Sequence, residues 1–228
     1  RTAAFLLERN HDPLRLRIIT AGHRKKIRTG AGLILECDFT FSQLLKKKIK
    51  ADWVLLPGSG KKILSELEES LCSKEVIQVM DVLKHYAAAQ SCLGVSCAST
   101  FMLAEAGLLD GKAATTSWWL ANAFRQRYPE VILDETKMLV RDANILTAGA
   151  VFSQMDVVLD IVSEVAGASI SYLCSRYLLI EQRSSQARFM IPTQNQHLDP
   201  VVIAAEKWID KNIGQALSVQ ELASQFAI

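Results

Sequence analysis

The chain has 228 residues, half of them hydrophobic, and a formal net charge of +2. That is enough for one sizeable core plus a fragment of a second domain. The near-balance of charge excludes a whole-chain electrostatic argument for nucleic acid or for an acidic partner, so any basic surface has to be local.

"RTAAFLLERN" opens the chain and reads as helix, not as a signal peptide. "LRLRIIT" (14–20) is a β-rich run after Asp12-Pro13, and "GLILECDFTF" (32–41) suggests another extended piece. "ADWVLLPGSG" (51–60) predicts a buried strand that stops at Pro57-Gly58. Residues 61–69 and 74–90 carry helical periodicity, and residues 92–96 form the next strand. Residues 98–107 then read as a helix closed by Gly107. The apolar window 93–109 contains Glu105 and several Ser and Thr, so it is a strand plus a core helix, not a membrane span. No membrane partner is expected.

"AATTS" (113–117) is strand-like, "WWLANAFRQRYPE" is a helix ended by Pro129, and 131–149 holds two or three short extended pieces. Ser153 with Asp156 gives a capping-box pattern at the head of "SQMDVVLDIVSEVAG". In that helix Met155, Val158, Leu159, Val162 and Ala166 are expected on one face. "ISYLCSRYLLIEQ" continues as another helix. Strands alternating with helices predict an α/β fold, a parallel sheet covered on both faces.

From Arg183 the chain turns polar, "RSSQARFMIPTQNQHLD", which reads as a linker. Asp199-Pro200 opens a helix striped by Val201, Ala205, Trp208, Ile209 and Ile213. Ser218 and Glu221 form a second capping box before "VQELASQFAI". The expected division is a domain over 1–182, a linker over 183–198 and the start of a small helical domain over 199–228. The chain opens on Arg1 and closes within helix-like sequence, so it is read as part of a longer protein.

The chemistry concentrates at Cys97, one of five cysteines at 37, 72, 92, 97 and 174. The odd count, with no Cys-x-x-Cys and no metal spacing, predicts reduced thiols in a cytoplasmic protein, with no metal and no cofactor. A strand-to-helix corner exposes a thiol above the sheet, and helix amides aimed at it favour thiolate. The turn of Pro57, Gly58, Ser59 and Gly60 ends a neighbouring strand and offers backbone amides to an anion. The plainer reading is a small buried core cysteine. A cysteine hydrolase needs a histidine base. His11, His23, His85 and His197 all lie away from the corner in sequence. Losing a positioned base costs about 10²–10⁴ in rate, so a sensor pocket is the better reading. The run Lys46, Lys47, Lys48 and Lys50 reads as a solvated helix end, not a nucleic-acid site. Trp118 and Trp119 are adjacent, so one is expected in the core and one at a pocket wall.

"CASTFMLAEAGLLDGKAATTSWW" resembles the core signature of transcription regulators with an amidase-like amino-terminal domain and an AraC-type carboxy-terminal domain, the GlxA-like family. The amino-terminal domain of that family is PfpI-like, in the class I glutamine amidotransferase superfold, and is flavodoxin-like in architecture. "ADWVLLPGSG" is similar to the family's second glycine turn, and "ILTAGAVFSQMDVVLDIV" to a later segment whose Asp is matched by Asp156. "LSVQELASQFAI" is similar to the opening of the first AraC helix-turn-helix, which places the start of the DNA-binding module around Ser218, Gln220 and Glu221. Two departures stand out. Ala98-Ser99 replaces the family's Thr-Gly after the cysteine, and Ser117 replaces the histidine of its Thr-Thr-His-Trp. Serine is no base at neutral pH, so Cys97 is a degenerate nucleophile position and Ser117 a degenerate base position.

The resemblance therefore implies a homodimeric, effector-sensing transcription regulator. A small molecule is expected between Gly58 and Ser59, the Cys97–Ala98 corner, and Ser117 with Trp118. The first strand of the superfold is expected before Arg1 and the recognition helix after Ile228, so this chain alone should bind DNA poorly. The alternative is a cysteine-dependent PfpI-like hydrolase, amidase or glyoxalase using Cys97.

Overall fold

The computed structural model describes residues 1–61, 63–181, 183–191, 200–214 and 218–226. It divides into two units, Arg1–Ala187 and Arg188–Ile228. In chain order the first unit runs α1 (Thr2–Arg9), β1 (Ala21–Gly22), β2 (Lys26–Arg28), β3 (Ile34–Glu36), β4 (Phe39–Thr40), α2 (Phe41–Lys46) and β5 (Trp53–Leu56). It continues with α3 (Leu64–Leu71), α4 (Lys74–Ala88), β6 (Cys92–Ser96), α5 (Thr100–Glu105), β7 (Ala113–Ala114), α6 (Ala121–Arg127) and β8 (Ile132–Leu133). It closes with β9 (Leu139–Asp142), β10 (Ile145–Ala148), α7 (Ser153–Ala166) and α8 (Ala168–Tyr177).

The central sheet has the order β5-β6-β10-β9. β5, β6 and β10 are parallel, and β9 adds antiparallel at the edge. β6 is buried from Leu93 to Ser96 and β10 throughout, as a strand enclosed between helical layers must be. Leu93 and Val95 are fully buried, each worth about 1.5–3 kcal/mol against exposure. On one face α4 and α5 supply Leu83, Phe101 and Leu103 to the main core. On the other, Val157 of α7 packs with Leu146 and Ala148. α1, α7 and α8 share a further cluster built on Leu6, Leu7, Leu159 and Ile170. Gly94 lets α7 come this close: a Cβ there would stand 3.2 Å from Val157 Cγ1 and 2.6 Å from Leu55 Cδ2. This is the α/β fold expected from the sequence, with helices on both faces of a parallel sheet. No helix among the described residues is long and apolar enough to cross a membrane.

Several local expectations change. "LRLRIIT" belongs to no strand, and the pairing begins only at Ala21 and Gly22, which join Phe39 and Thr40 in parallel. β5 is half-buried, not buried, with Leu55 42% exposed. Of 113–117 only Ala113–Ala114 forms a strand, because Thr115, Thr116 and Ser117 turn inward to other partners. Ser153 does not cap α7; Phe152 occupies that position, and Ser153 Oγ donates to the Ala150 carbonyl. The buried stripe of α7 is Asp156, Val157, Leu159 and Val162, while Met155 and Val158 are exposed. The lysine run does end α2 and is solvated.

The polar run from Arg183 begins as part of the first unit, which extends to Ala187. Residues 192–198 of the expected linker, His197 among them, and Asp199 lie outside the described residues. In the second unit, α9 (Pro200–Asn212) starts on proline and α10 (Val219–Phe226) follows. Trp208 and Phe226 meet edge-to-face at 6.3 Å, joining the two helices. Of the expected stripe, Ala205, Trp208 and Ile209 are half-buried, while Val201 and Ile213 are exposed. Ser218 and Glu221 form the capping box: Glu221 N donates to Ser218 Oγ at 3.2 Å, and Ser218 N donates to Glu221 Oε2 at 2.8 Å.

Candidate functional site

β6 ends at Ser96, and the chain turns sharply into a 3₁₀ turn, Cys97–Ser99, that leads into α5. Cys97 sits at the bend with φ +59°. That left-handed backbone costs a non-glycine residue about 1–2 kcal/mol, and the surroundings must hold it. They do so from three sides. Cys97 N donates to the Gly149 carbonyl at 2.8 Å, past the end of β10. Thr116 Oγ1 donates to the Cys97 carbonyl at 3.0 Å. Ser99 Oγ donates to the Pro57 carbonyl at 2.7 Å, which ties the 57–60 turn to the corner.

Ser117 Oγ donates to Cys97 Sγ at 3.0 Å. The position opposite the sulfur therefore carries a hydroxyl, which donates a hydrogen bond to sulfur and is no base at neutral pH. Among the described residues no histidine hydrogen-bonds to Cys97, and His11 follows α1 with its backbone N–H on the Glu8 carbonyl. His23 lines a separate cleft of about 450 Å³ shared with Lys46 and Asp81, and His85 stacks edge-on with Tyr86. The corner is also closed. Cys97 is 1% exposed, and Ala98 and Ser117 are fully buried. Gly58 covers the sulfur: a Cβ at Gly58 would lie 2.9 Å from Cys97 Cβ and 3.6 Å from Sγ. The open cleft expected around Cys97 is thus a sealed contact, because the glycine turn packs directly onto the cysteine.

Of the six residues expected to line a ligand site, Gly58, Cys97 and Ser117 meet. Ala98 and Trp118 are buried beside them in the chain, and Trp118 stacks edge-on with half-buried Trp119 at 5.4 Å. Ser59 stays on the exposed rim, where its hydroxyl accepts from Lys61 N at 3.5 Å. In the second unit, Ser218 and Glu221 serve the α10 cap, and the hydrogen bonds from Ser218 hold the Glu221 carboxyl below its ordinary value.

Reading the sequence missed the residue that packs behind the corner. Gln186 is 1% exposed. Its Nε2 donates to the Thr116 carbonyl at 2.9 Å and the Lys137 carbonyl at 3.2 Å, and its Oε1 accepts from Ala150 N at 3.3 Å. Beside it, Arg183 Nη2 donates to Asp156 Oδ2 at 2.5 Å and to the Phe152 carbonyl at 2.8 Å. Burial raises the Asp156 carboxyl above its ordinary value, and Arg183 opposes that shift without cancelling it. The polar composition around Gln186 hid this role. The available signals were the glycine at 149 and the doublet Thr115-Thr116, polar groups in an apolar setting that need internal partners.

A parallel α/β sheet with a strained cysteine corner at a strand end defines a class of proteins in which a thiol stands at the carboxyl edge of the sheet. The DJ-1/PfpI family profile matches residues 6–164, and the chain belongs to that family. Solved structures with the same fold include DJ-1beta of Drosophila melanogaster, at 21% identity with a TM-score of 0.58, covering 79% of this chain and 90% of that one. Another is an AraC family transcriptional regulator from Pseudomonas putida, at 16% identity with a TM-score of 0.57, covering 77% of this chain and 88% of that one. Among curated proteins, the HTH-type transcriptional regulator ArgR of Pseudomonas aeruginosa is 28% identical over 149 residues, 64% of this chain and 45% of the regulator. An isonitrile hydratase of Pseudomonas putida is 31% identical over 97 residues, 42% of this chain and 41% of that enzyme. The chain spans less than half the length of the curated regulators it matches.

Proposed function

We propose that this chain is the effector-sensing and dimerising part of a cytoplasmic transcription regulator, followed by the opening of its AraC-type helix-turn-helix module. The observation that carries the reading is the pairing of Cys97 Sγ with Ser117 Oγ, where an active thiol needs a base. The names of the similar curated regulators support it, as do the two helices after residue 199, the second of them capped by Ser218 and Glu221. In this reading DNA is the partner of the full-length protein, and a small molecule is sensed at the corner. The effector first meets the rim at Gly58 and Ser59. It reaches Cys97, Ala98, Ser117 and Trp118 when the 57–60 turn lifts. Binding then shifts the population between two placements of the DNA-binding modules in a dimer, which requires different affinities for the two states.

The test is operator affinity of the full-length regulator against metabolites of the neighbouring genes. A ligand that changes the affinity supports the reading. An affinity indifferent to all of them removes it. The second reading is a cysteine-dependent enzyme, favoured by the stretch shared with the isonitrile hydratase and by the strained φ of Cys97. Turnover of an isonitrile or amide that is abolished by Cys97→Ala would establish that reading instead.

A further inference from the structure

Residues 183–187 are the last of the first unit, and the chain passes from Ala187 directly into the second. This exit segment is strapped down at several points. Met138 N donates to the Ser184 carbonyl at 3.3 Å, Gln186 N to the Thr136 carbonyl at 2.9 Å, and Ser185 Oγ to the Thr136 carbonyl at 2.7 Å. Arg183 adds its contacts to Asp156 and Phe152.

The strap is joined to the cysteine corner through two residues. Thr116 donates its hydroxyl to the Cys97 carbonyl and accepts the Gln186 amide on its own carbonyl. Gly149 accepts the Cys97 N–H, and its Cα faces the Gln186 carboxamide so closely that a Cβ would lie 2.5 Å from Nε2. Among the residues of the strap, Gln186 alone lies behind the corner with a fully buried polar head, and a buried carboxamide cannot leave these partners one at a time without stranding them.

We infer that Gln186 is a latch: it locks the exit strap to the Cys97–Ser117 corner, so that a change at the corner which shifts Thr116 or Gly149 releases the strap that leads into the second unit. This rests on the regulator reading above and supplies its route from sensing site to connector. The contacts run unbroken from corner to strap through Thr116 and Gly149, and one shared opening step is the behaviour the proposal requires of them.

The test uses the whole chain with neither ligand nor DNA, so its failure is separate from failure of the regulator reading. Amide hydrogen exchange is followed at Cys97, Gly149, Met138 and Gln186. The reference is Leu93, whose N–H is held deep in the sheet by the Asn144 carbonyl at 2.8 Å. Gln186→Glu sets a carboxylate against the Thr116 and Lys137 carbonyls at nearly unchanged volume. It should speed exchange at all four amides together by at least about tenfold, the scale of one lost buried hydrogen bond, and leave Leu93 unchanged. Faster exchange at Gln186 and Met138 with Cys97 unmoved would overturn the latch. So would no acceleration at any of the four. If the variant does not fold, the unsubstituted chain gives the answer under low denaturant. Cys97 and Gln186 should share one opening step, below the global one reported by Leu93. Cys97 opening only with Leu93, while Gln186 opens separately, contradicts the proposal.

Discussion

The Ser117 hydroxyl donates to the Cys97 sulfur at 3.0 Å, inside a corner from which solvent is excluded. This contact is a structural bond, because neither partner accepts a proton from the other at neutral pH. Ser117→Ala should lower the unfolding free energy by about 1 kcal/mol, the net worth of one such bond. Urea denaturation measures it. Ser117→His, which restores an imidazole in sequence, has no free volume to enter and should cost about 1–3 kcal/mol by overpacking.

Gly58 and Gly149 are close-approach glycines, the first against the Cys97 side chain and the second against Gln186 while its carbonyl accepts the Cys97 N–H. Gly58→Ala drives a methyl into Cys97 Cβ at 2.9 Å, and Gly149→Ala drives one into the Gln186 carboxamide at 2.5 Å. Each should destabilise by about 1–3 kcal/mol. The two costs should add to less than their sum in the double variant, because both displace the same corner. Denaturant midpoints of the three variants test this.

Part of the pH response should come from a cluster at the end of α5. Tyr128 Oη donates to Glu105 Oε2 at 2.6 Å, and Arg127 Nε donates to the same oxygen at 3.1 Å. Burial pushes the Glu105 carboxyl up, but these hydrogen bonds outweigh it and hold it below its ordinary 4.5. A lowered folded value means stability present above pH 4.5 and lost as pH falls through it. Tyr128 is raised above its ordinary 10.0, by burial first and then by its bond to Glu105. Its contribution is present below pH 10.0 and lost as pH rises further. Asp156, raised by burial, does not drive acid unfolding, because its folded form binds the proton more tightly. Midpoints against pH should therefore have a shallower acid slope in Glu105→Gln, with Asp38 and Asp134 supplying what remains, and a shallower alkaline slope in Tyr128→Phe, with Tyr86 supplying what remains.

In the second unit the reciprocal bonds of Ser218 and Glu221 start α10. Ser218→Ala removes the acceptor of the Glu221 amide and should destabilise the helix by about 0.5–2 kcal/mol. Exchange of the Glu221 amide should quicken by the matching factor, with β6 amides unaffected.

The parallel core was legible because β6 and the segment carrying β10 are short apolar runs closed by small residues, and a continuous apolar run is what a strand covered on both faces requires. The corner at Cys97 was legible for the same reason. The run 14–20 was misread because β-branched and apolar residues show strand propensity, whereas a strand also needs a partner. Ser153 and Asp156 have the spacing of a cap, yet Asp156 is drawn to Arg183, 27 positions away in sequence. No local pattern encodes such a contact. Gln186 was invisible for the opposite reason: a polar residue in a polar stretch reads as solvated, and only the fold shows that it closes a buried network. Gly58 was expected to offer its amide to a ligand, and its missing side chain proves as important, since it lets the turn seat on the sulfur.

The Cys97 sulfur is covered, and its side-chain partner is a hydroxyl, not a base. The direct measurement is the native-state rate of iodoacetamide labelling at Cys97 against Cys72, read peptide by peptide by mass spectrometry. Cys72 is exposed and Cys97 is 1% exposed. The account predicts labelling of Cys97 slower than Cys72 by at least about a hundredfold, with the difference vanishing in denaturant, as expected of a buried, inert cysteine. Native labelling of Cys97 faster than that of Cys72 would reveal an accessible, activated nucleophile and contradict it.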